Sequence, residues 1–200
     1  MTFTKECSGL FYEIIDKIMD SRDATAGGGS ASAVAGAMAA GLAGMVARLS
    51  AGKNFGLAGE RYEEIANELD EYVDLLKKGA VEDTLSYLGI KEAFSLPKST
   101  DEEKAARRKA IEDAAVKAAC VPLENGKIAV KILRICKEME GRYNEAATSD
   151  MEACIMLAKM AAIDTAMNVE ANLPLIKSPE KNTALEREAK KLKEAAENII

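Results

Sequence analysis

Two hundred residues carry 27 Lys+Arg against 33 Asp+Glu, a formal net charge of −6, and 48% of them are hydrophobic. That balance fits one folded domain over residues 1–200, excludes a disordered chain, and argues against a general nucleic-acid binder, which usually shows a basic face. Histidine is absent, which removes a His general base, any Ser-His triad and most zinc sites.

Ala occurs 35 times against 4 Pro, and apolar residues recur with the helical period and nowhere alternate as in a strand. The expected fold is all-α: a single-domain helical bundle of long helices around one small-residue-rich central helix. A first helix is expected over residues 3–19, ending in the run Ser21-Arg22-Asp23-Ala24-Thr25-Ala26-Gly27-Gly28-Gly29. Ser30 is expected to cap a second helix reaching about residue 50. Residues 31–47 have Ser32 as their single polar side chain. Seventeen residues rich in Ala and Gly are at the short edge for a membrane span, so a buried helix without a membrane is expected. Gly36, Ala40 and Gly44 share one stripe, which lets another backbone approach and suggests a helix touched on all sides.

A third helix is expected over residues 58–94, stopped at Leu96-Pro97 because a residue before Pro avoids helical dihedrals. A fourth starts at Ser99 or Thr100 and reaches about residue 138, with Pro122 kinking it or splitting it. Its Arg107-Arg108-Lys109 cluster reads as a solvated face beside Glu102, Glu103 and Glu112. A fifth covers residues 149–173 and a charged sixth residues 180–200. The four cysteines, Cys7, Cys120, Cys136 and Cys154, form no CxxC pair, and they read as reduced core residues of a cytoplasmic protein.

Three places could carry chemistry. Gly27-Gly28-Gly29-Ser30 before a helix resembles an anion cradle of free N–H groups, or serves only as a turn. It is no Walker A loop, because the Gly-Lys pair Gly52-Lys53 has Ala47 and Asn54 where that motif needs Gly and Ser or Thr. In the third helix, seven-residue steps give Tyr62, Leu69, Leu76, Asp83 and Ile90, with Ile65 and Tyr72 in the companion register. Asp83 therefore falls on the core stripe, where desolvation raises a carboxyl pKa toward the range of a general acid or base. The alternative is a structural Asp held by an Arg or a helix start. Glu82 turns away toward solvent. In the fifth helix Asp150, Leu157, Ala161, Asp164, Asn168 and Asn172 share a face opposite Met151, Ile155, Ala158, Ala162 and Val169. Short amides and carboxylates suit fixed hydrogen bonds to a heteroaromatic ligand, or line a wet face; Ser149 and Asp150 also suit the N-cap and first position of that helix.

The stretch TAGGGSASAVAGAMAAGLAGMVARLSAGK resembles the Thr-Pro-Gly-Gly-Gly-Ser signature and small-residue helix of the cyclodeaminase domain of formiminotransferase-cyclodeaminase. That family also includes stand-alone bacterial methenyltetrahydrofolate cyclohydrolases. Glu82-Asp83, AFSLPKSTDEEKAARRKAI, VPLE, AATSDMEA and MNVEANL follow in the family's order. Ala24 and Ala26 stand where the family has prolines, and Met151 where Ala is usual. The resemblance implies a homodimer acting on one-carbon-loaded tetrahydrofolate without metal or cofactor. The implied reaction is closure of 5-formiminotetrahydrofolate to 5,10-methenyltetrahydrofolate plus ammonia. The alternatives are hydrolysis of the methenyl form to 10-formyltetrahydrofolate, and an inactive folate-binding or assembly module. It assigns proton transfer to Asp83 and a second acid/base or pterin-anchoring role to Asp150. Substrate contacts fall to Gly27, Gly28, Gly29, Ser30, Ser149, Asp164, Asn168 and Asn172, with Lys53 neutralising the glutamate tail. The deaminase reading implies a separate formiminotransferase as partner, since the transferase half is absent.

Overall fold

The computed structural model describes residues 5–200, with side chains from residue 9 onward. Phe3 and the side chain of Cys7, assigned above to the first helix and the core, lie outside these described residues. Six α-helices follow one another: α1 Lys5–Met19, α2 Gly28–Ala51, α3 Gly59–Ser95, α4 Asp101–Met139, α5 Thr148–Asn172 and α6 Pro179–Asn198. The described residues contain no strand, and the fold is all-α as expected.

Local chemistry sets the boundaries. Thr100 caps α4 through a reciprocal box, its side chain accepting from Glu103 N–H while the Glu103 carboxylate receives the Thr100 N–H. Ser178 caps α6, with Pro179 at the first helical position. Three expectations need correction. Gly27, not Ser30, is the N-cap of α2, and it has no side-chain cap bond. The Ser30 hydroxyl is thereby free to turn sideways into the bundle. A 3₁₀ turn, Glu145–Ala147, carries the chain into α5, so Ala147 is the cap and Ser149-Asp150 lie inside the first turn. Pro122 does not split α4, which is one helix of 39 residues.

Helices α2, α3, α4 and α5 close a ring in which each packs on its two chain or ring neighbours. Gly44 meets Leu69 and Gly36 meets Leu76, so α2 and α3 run antiparallel. Cys136 meets Cys154 while Asn172 reaches Ala118, so α4 and α5 do too. This is an up-and-down four-helix arrangement, with α1 laid on α3 and α2, and α6 on α5 and α4. The centre holds Tyr62, Ile65, Leu69, Leu76, Ile132, Leu133 and Met139, all fully buried. Truncating Leu69 to Ala there costs about 2–5 kcal/mol.

The small-residue stripe packs α2 on α3: a Cβ on Gly36 would stand 3.1 Å from Leu76 Cδ1, tighter than ordinary contact. The opposite side of α2 is not touched, contrary to the expectation of a fully surrounded helix. Met38, Gly41, Met45 and Leu49 are exposed along it, because α4 fills only the inner side. Among described helices α2 alone is long and apolar enough to cross a membrane, yet 67% of its apolar window is buried in the bundle.

Cys136 and Cys154 are buried with their sulfurs 3.3 Å apart. The neighbouring Cys136 sulfur and burial push the Cys154 thiol well above its ordinary range. Cys120 is exposed rather than in the core, since Ala118, Ala119, Pro122 and Leu123 take the inward positions of that turn. Arg107 is also more than a solvated charge. It donates to the Phe94 carbonyl at 2.9 and 3.2 Å and lies over the Phe94 ring, closing the end of α3.

Candidate active site

The first turn of α2 meets α3, α4 and the last turns of α5 around a cleft of about 250 Å³. Gly27, Gly28 and Gly29 form its rim, Tyr87 and Ile90 an apolar wall, and Asp83, Asn168 and Asn172 its polar groups. That volume is below the usual range for a drug-sized ligand, so the cleft encloses a ring-sized part of one.

Asp83 sits where the heptad arithmetic put it. Tyr62, Ile65, Leu69, Tyr72, Leu76 and Ile90 on its stripe are buried, and Asp83 is half-buried at the cleft end of that row. Its Oδ2 accepts the Ser30 hydroxyl at 2.8 Å, and the Ser30 Oγ lies 3.0 Å from Thr84 Oγ1. Burial pushes the Asp83 carboxyl above the usual carboxylate range, and the negative charge of Asp164 adds to the rise. The Ser30 hydroxyl and backbone N–H pull the other way. Glu82 is exposed and pairs with Lys78, as its position predicts.

Gly29 makes this contact possible. A Cβ there would stand 2.4 Å from Asp83 Oδ1, so any side chain would push the carboxylate aside. Gly28 does the same for α5, where a Cβ would lie 3.1 Å from Asp164 Oδ2 and 3.2 Å from Asn168 Nδ2.

The Asp/Asn row of α5 turns toward α2 and the cleft, not toward water. Asp164 Oδ2 receives the Ser32 hydroxyl and, at 3.1 Å, Asn168 Nδ2. Asn168 Nδ2 also donates to the Asp164 carbonyl at 2.8 Å, and Asn172 Nδ2 to the Asn168 carbonyl at 2.9 Å and the Ala118 carbonyl at 3.2 Å. The exposed large apolar side chains of α5 are instead Met156, Met160 and Met167.

The structure thus brings together Gly27, Gly28, Gly29, Ser30, Asp83, Asp164, Asn168 and Asn172. It does not bring Lys53, Ser149 or Asp150 to them within one chain. Lys53 follows the far end of α2, about 35 Å from Gly28, and Asp150 is 18 residues or about 27 Å along α5 from Asn168. Their chain neighbours Asn54 and Thr148, with Phe55 and Tyr143, line a second, open cleft of about 730 Å³. Ser32, Tyr87 and Ala118 belong to the site but were not picked out from sequence. Ser32 had a signal: a lone hydroxyl in an apolar helix needs a buried partner. So had Tyr87, one turn beyond Asp83 on the same face.

An all-helical ring thus presents a half-buried carboxyl with a raised pKa beside a helix N-terminus, in a chain that has no imidazole. The chain belongs to the formiminotransferase-cyclodeaminase family, a family of folate one-carbon enzymes, whose model matches residues 12–191. It is 30% identical over 170 residues to the methenyltetrahydrofolate cyclohydrolase of Methylorubrum extorquens, which covers 80% of this chain and 79% of that relative. The crystal structure of formiminotetrahydrofolate cyclodeaminase from Thermotoga maritima has the same fold, with a TM-score of 0.81 over 92% of this chain and 89% of that one, at 22% identity.

Proposed function

We propose that this chain opens 5,10-methenyltetrahydrofolate with water to give 10-formyltetrahydrofolate. The observation that carries this reading is Asp83, a carboxyl held by Ser30 in a ring-sized cleft and shifted toward neutrality by burial. The relationship to the M. extorquens cyclohydrolase supports the choice of reaction. As carboxylate, Asp83 takes a proton from the water that attacks the bridging carbon. As carboxylic acid, it returns that proton to N5 as the N5–carbon bond of the tetrahedral adduct breaks, and the adduct's hydroxyl proton passes to solvent as the formyl carbonyl forms. The adjoining charge of Asp164 favours the cationic methenyl ring over a neutral one. No metal or cofactor enters this scheme.

A second reading is ammonia-forming closure of 5-formiminotetrahydrofolate, which the family's own description favours. Asp83 would then protonate the departing nitrogen. The purified protein should be given both substrates, following methenyl absorbance and ammonia release. Loss of methenyl absorbance beyond the uncatalysed rate supports the cyclohydrolase, ammonia release the deaminase. Binding without turnover of either supports a folate-binding or assembly module.

The functional unit in this reading is a homodimer paired through α2 and α5. Six large apolar side chains on this helix pair, Met38, Met45, Leu49, Met156, Met160 and Met167, are 39–65% exposed, the kind of patch that marks an interface. Gly41 lies on this face with open space where a Cβ would be. Antiparallel pairing of α2 about Gly41 would set residues twelve positions either side against each other, bringing the partner's Lys53 opposite Gly29. The Lys53, Ser149 and Asp150 end of one copy would then face the Asp83 end of the other.

A further inference from the structure

Pro122 interrupts the hydrogen bonding of α4 at one point. It has no N–H to give the carbonyl four residues back, and its ring crowds that carbonyl outward. That carbonyl belongs to Ala118, which lines the cleft and receives Asn172 Nδ2 at 3.2 Å. The second Nδ2 proton of Asn172 goes to the Asn168 carbonyl, and both Nδ2 protons of Asn168 go to Asp164. Neither amide can be turned over, because each oxygen would then meet a carbonyl or carboxylate oxygen. All four side-chain N–H groups are spent on the protein, which leaves the two Oδ1 atoms as the amides' open valences at the cleft.

We propose that Pro122 is a positioning residue: by turning the Ala118 carbonyl out of the helix it anchors Asn172, so that Asn168 and Asn172 offer paired acceptors to an N–H-rich ligand edge. Under the folate reading that edge is the 2-amino and N3–H side of the reduced pterin, whose two donors match two acceptor oxygens. The site selects donors, and a ring lacking the exocyclic amine loses a bond there.

Four variants test this: Pro122→Ala, Pro122→Ser, Asn172→Ala and the Pro122→Ala/Asn172→Ala double. The expected result is a KM about tenfold higher in each single variant, kcat within about twofold, and no further rise in the double. Wild type should bind 5-formyltetrahydrofolate about tenfold more tightly than its 2-desamino analogue, and Asn172→Ala should bind the two alike. The Asn172 side-chain amide protons, followed by NMR without any substrate, should lose exchange protection in Pro122→Ala and Pro122→Ser. An unchanged KM in both Pro122 variants while Asn172→Ala raises it overturns the proposal. So does full protection of the Asn172 amide in either Pro122 variant. If no folate is turned over or bound, the folate reading fails, and the NMR measurement still judges the anchoring.

Discussion

Ser30 and Asp83 are 53 positions apart in sequence, and the Ser30 hydroxyl donates to Asp83 Oδ2 at 2.8 Å where the start of α2 meets the flank of α3. The bond ties the protonation of one carboxyl to the seating of one helix on another. Ser30 favours the charged form, whereas burial and Asp164 favour the neutral one. Several measurable consequences come from that opposition.

Asp83→Asn keeps the shape and a hydrogen-bonding oxygen but cannot cycle a proton. Turnover should fall about 10²-fold or more with folate binding little changed. Stability should move the other way. The folded-state pKa lies above the unfolded one, so Asp83 costs nothing below the unfolded pKa, where both states hold the proton. As pH rises through the folded pKa, the folded carboxyl must ionise against its surroundings and stability is lost. The melting temperature of Asp83→Asn relative to wild type should therefore rise on going from acid to neutral pH. Ser30→Ala removes a bond that favours the charged form, so the pH midpoint for kcat should move upward. A midpoint that stays put in Ser30→Ala would detach Asp83 from that limb.

Two glycines separate activity from stability. Gly29→Ala places a methyl where the Asp83 carboxylate lies, and that carboxylate ends a side chain that can swing away. Circular dichroism and melting should change little while kcat falls by about tenfold or more. At Gly79 a Cβ would stand 2.0 Å from Asn125 Oδ1, inside the α3–α4 contact. Asn125 is buried with its Nδ2 unpartnered and has nowhere to go. Gly79→Ala should cost about 1–3 kcal/mol by overpacking, read by denaturant melts.

Sedimentation or light scattering should give a mass near twice 21.4 kDa. Met45→Glu or Met160→Glu should shift it toward the single chain with helix content retained. A monomeric wild type, or a dimer indifferent to both charges, would remove the α2–α5 face as the contact.

Turnover should survive exhaustive treatment with EDTA. The chain has no histidine, and the described residues hold no group of three Cys, Asp or Glu side chains able to hold an ion. Loss of activity restored by one particular metal would overturn the metal-free scheme.

The fold was legible because its signals are local and periodic. The stripe from Tyr62 to Ile90, the Thr100 box and the Leu96-Pro97 stop each need only neighbours within one or two turns. Asp83 was legible for the same reason, as the one carboxylate in an apolar row. Ser30 was misread because a Ser after three glycines looks like a cap, and only the packing of α3 shows where its hydroxyl goes. The exposed side of α2 was misread because apolar residues such as Met38, Met45 and Leu49 look like core in sequence whether a neighbour covers them or not. Lys53, Asp150 and Asn168 stand in sequence as one set, and only the lengths of α2 and α5 reveal that one chain keeps them apart.

The ring of helices has a consequence for how activity returns after unfolding. Neighbours in the ring are mostly neighbours in the chain, so the α2–α3, α3–α4 and α4–α5 hairpins form through short loops and rapidly. The pairing of α2 with α5 is the long-range closure, and Ser32 with Asp164 spans 132 positions. The cleft lies on that seam. Helical signal should therefore recover ahead of ligand binding in a refolding experiment, and competence should report the moment the barrel of helices shuts.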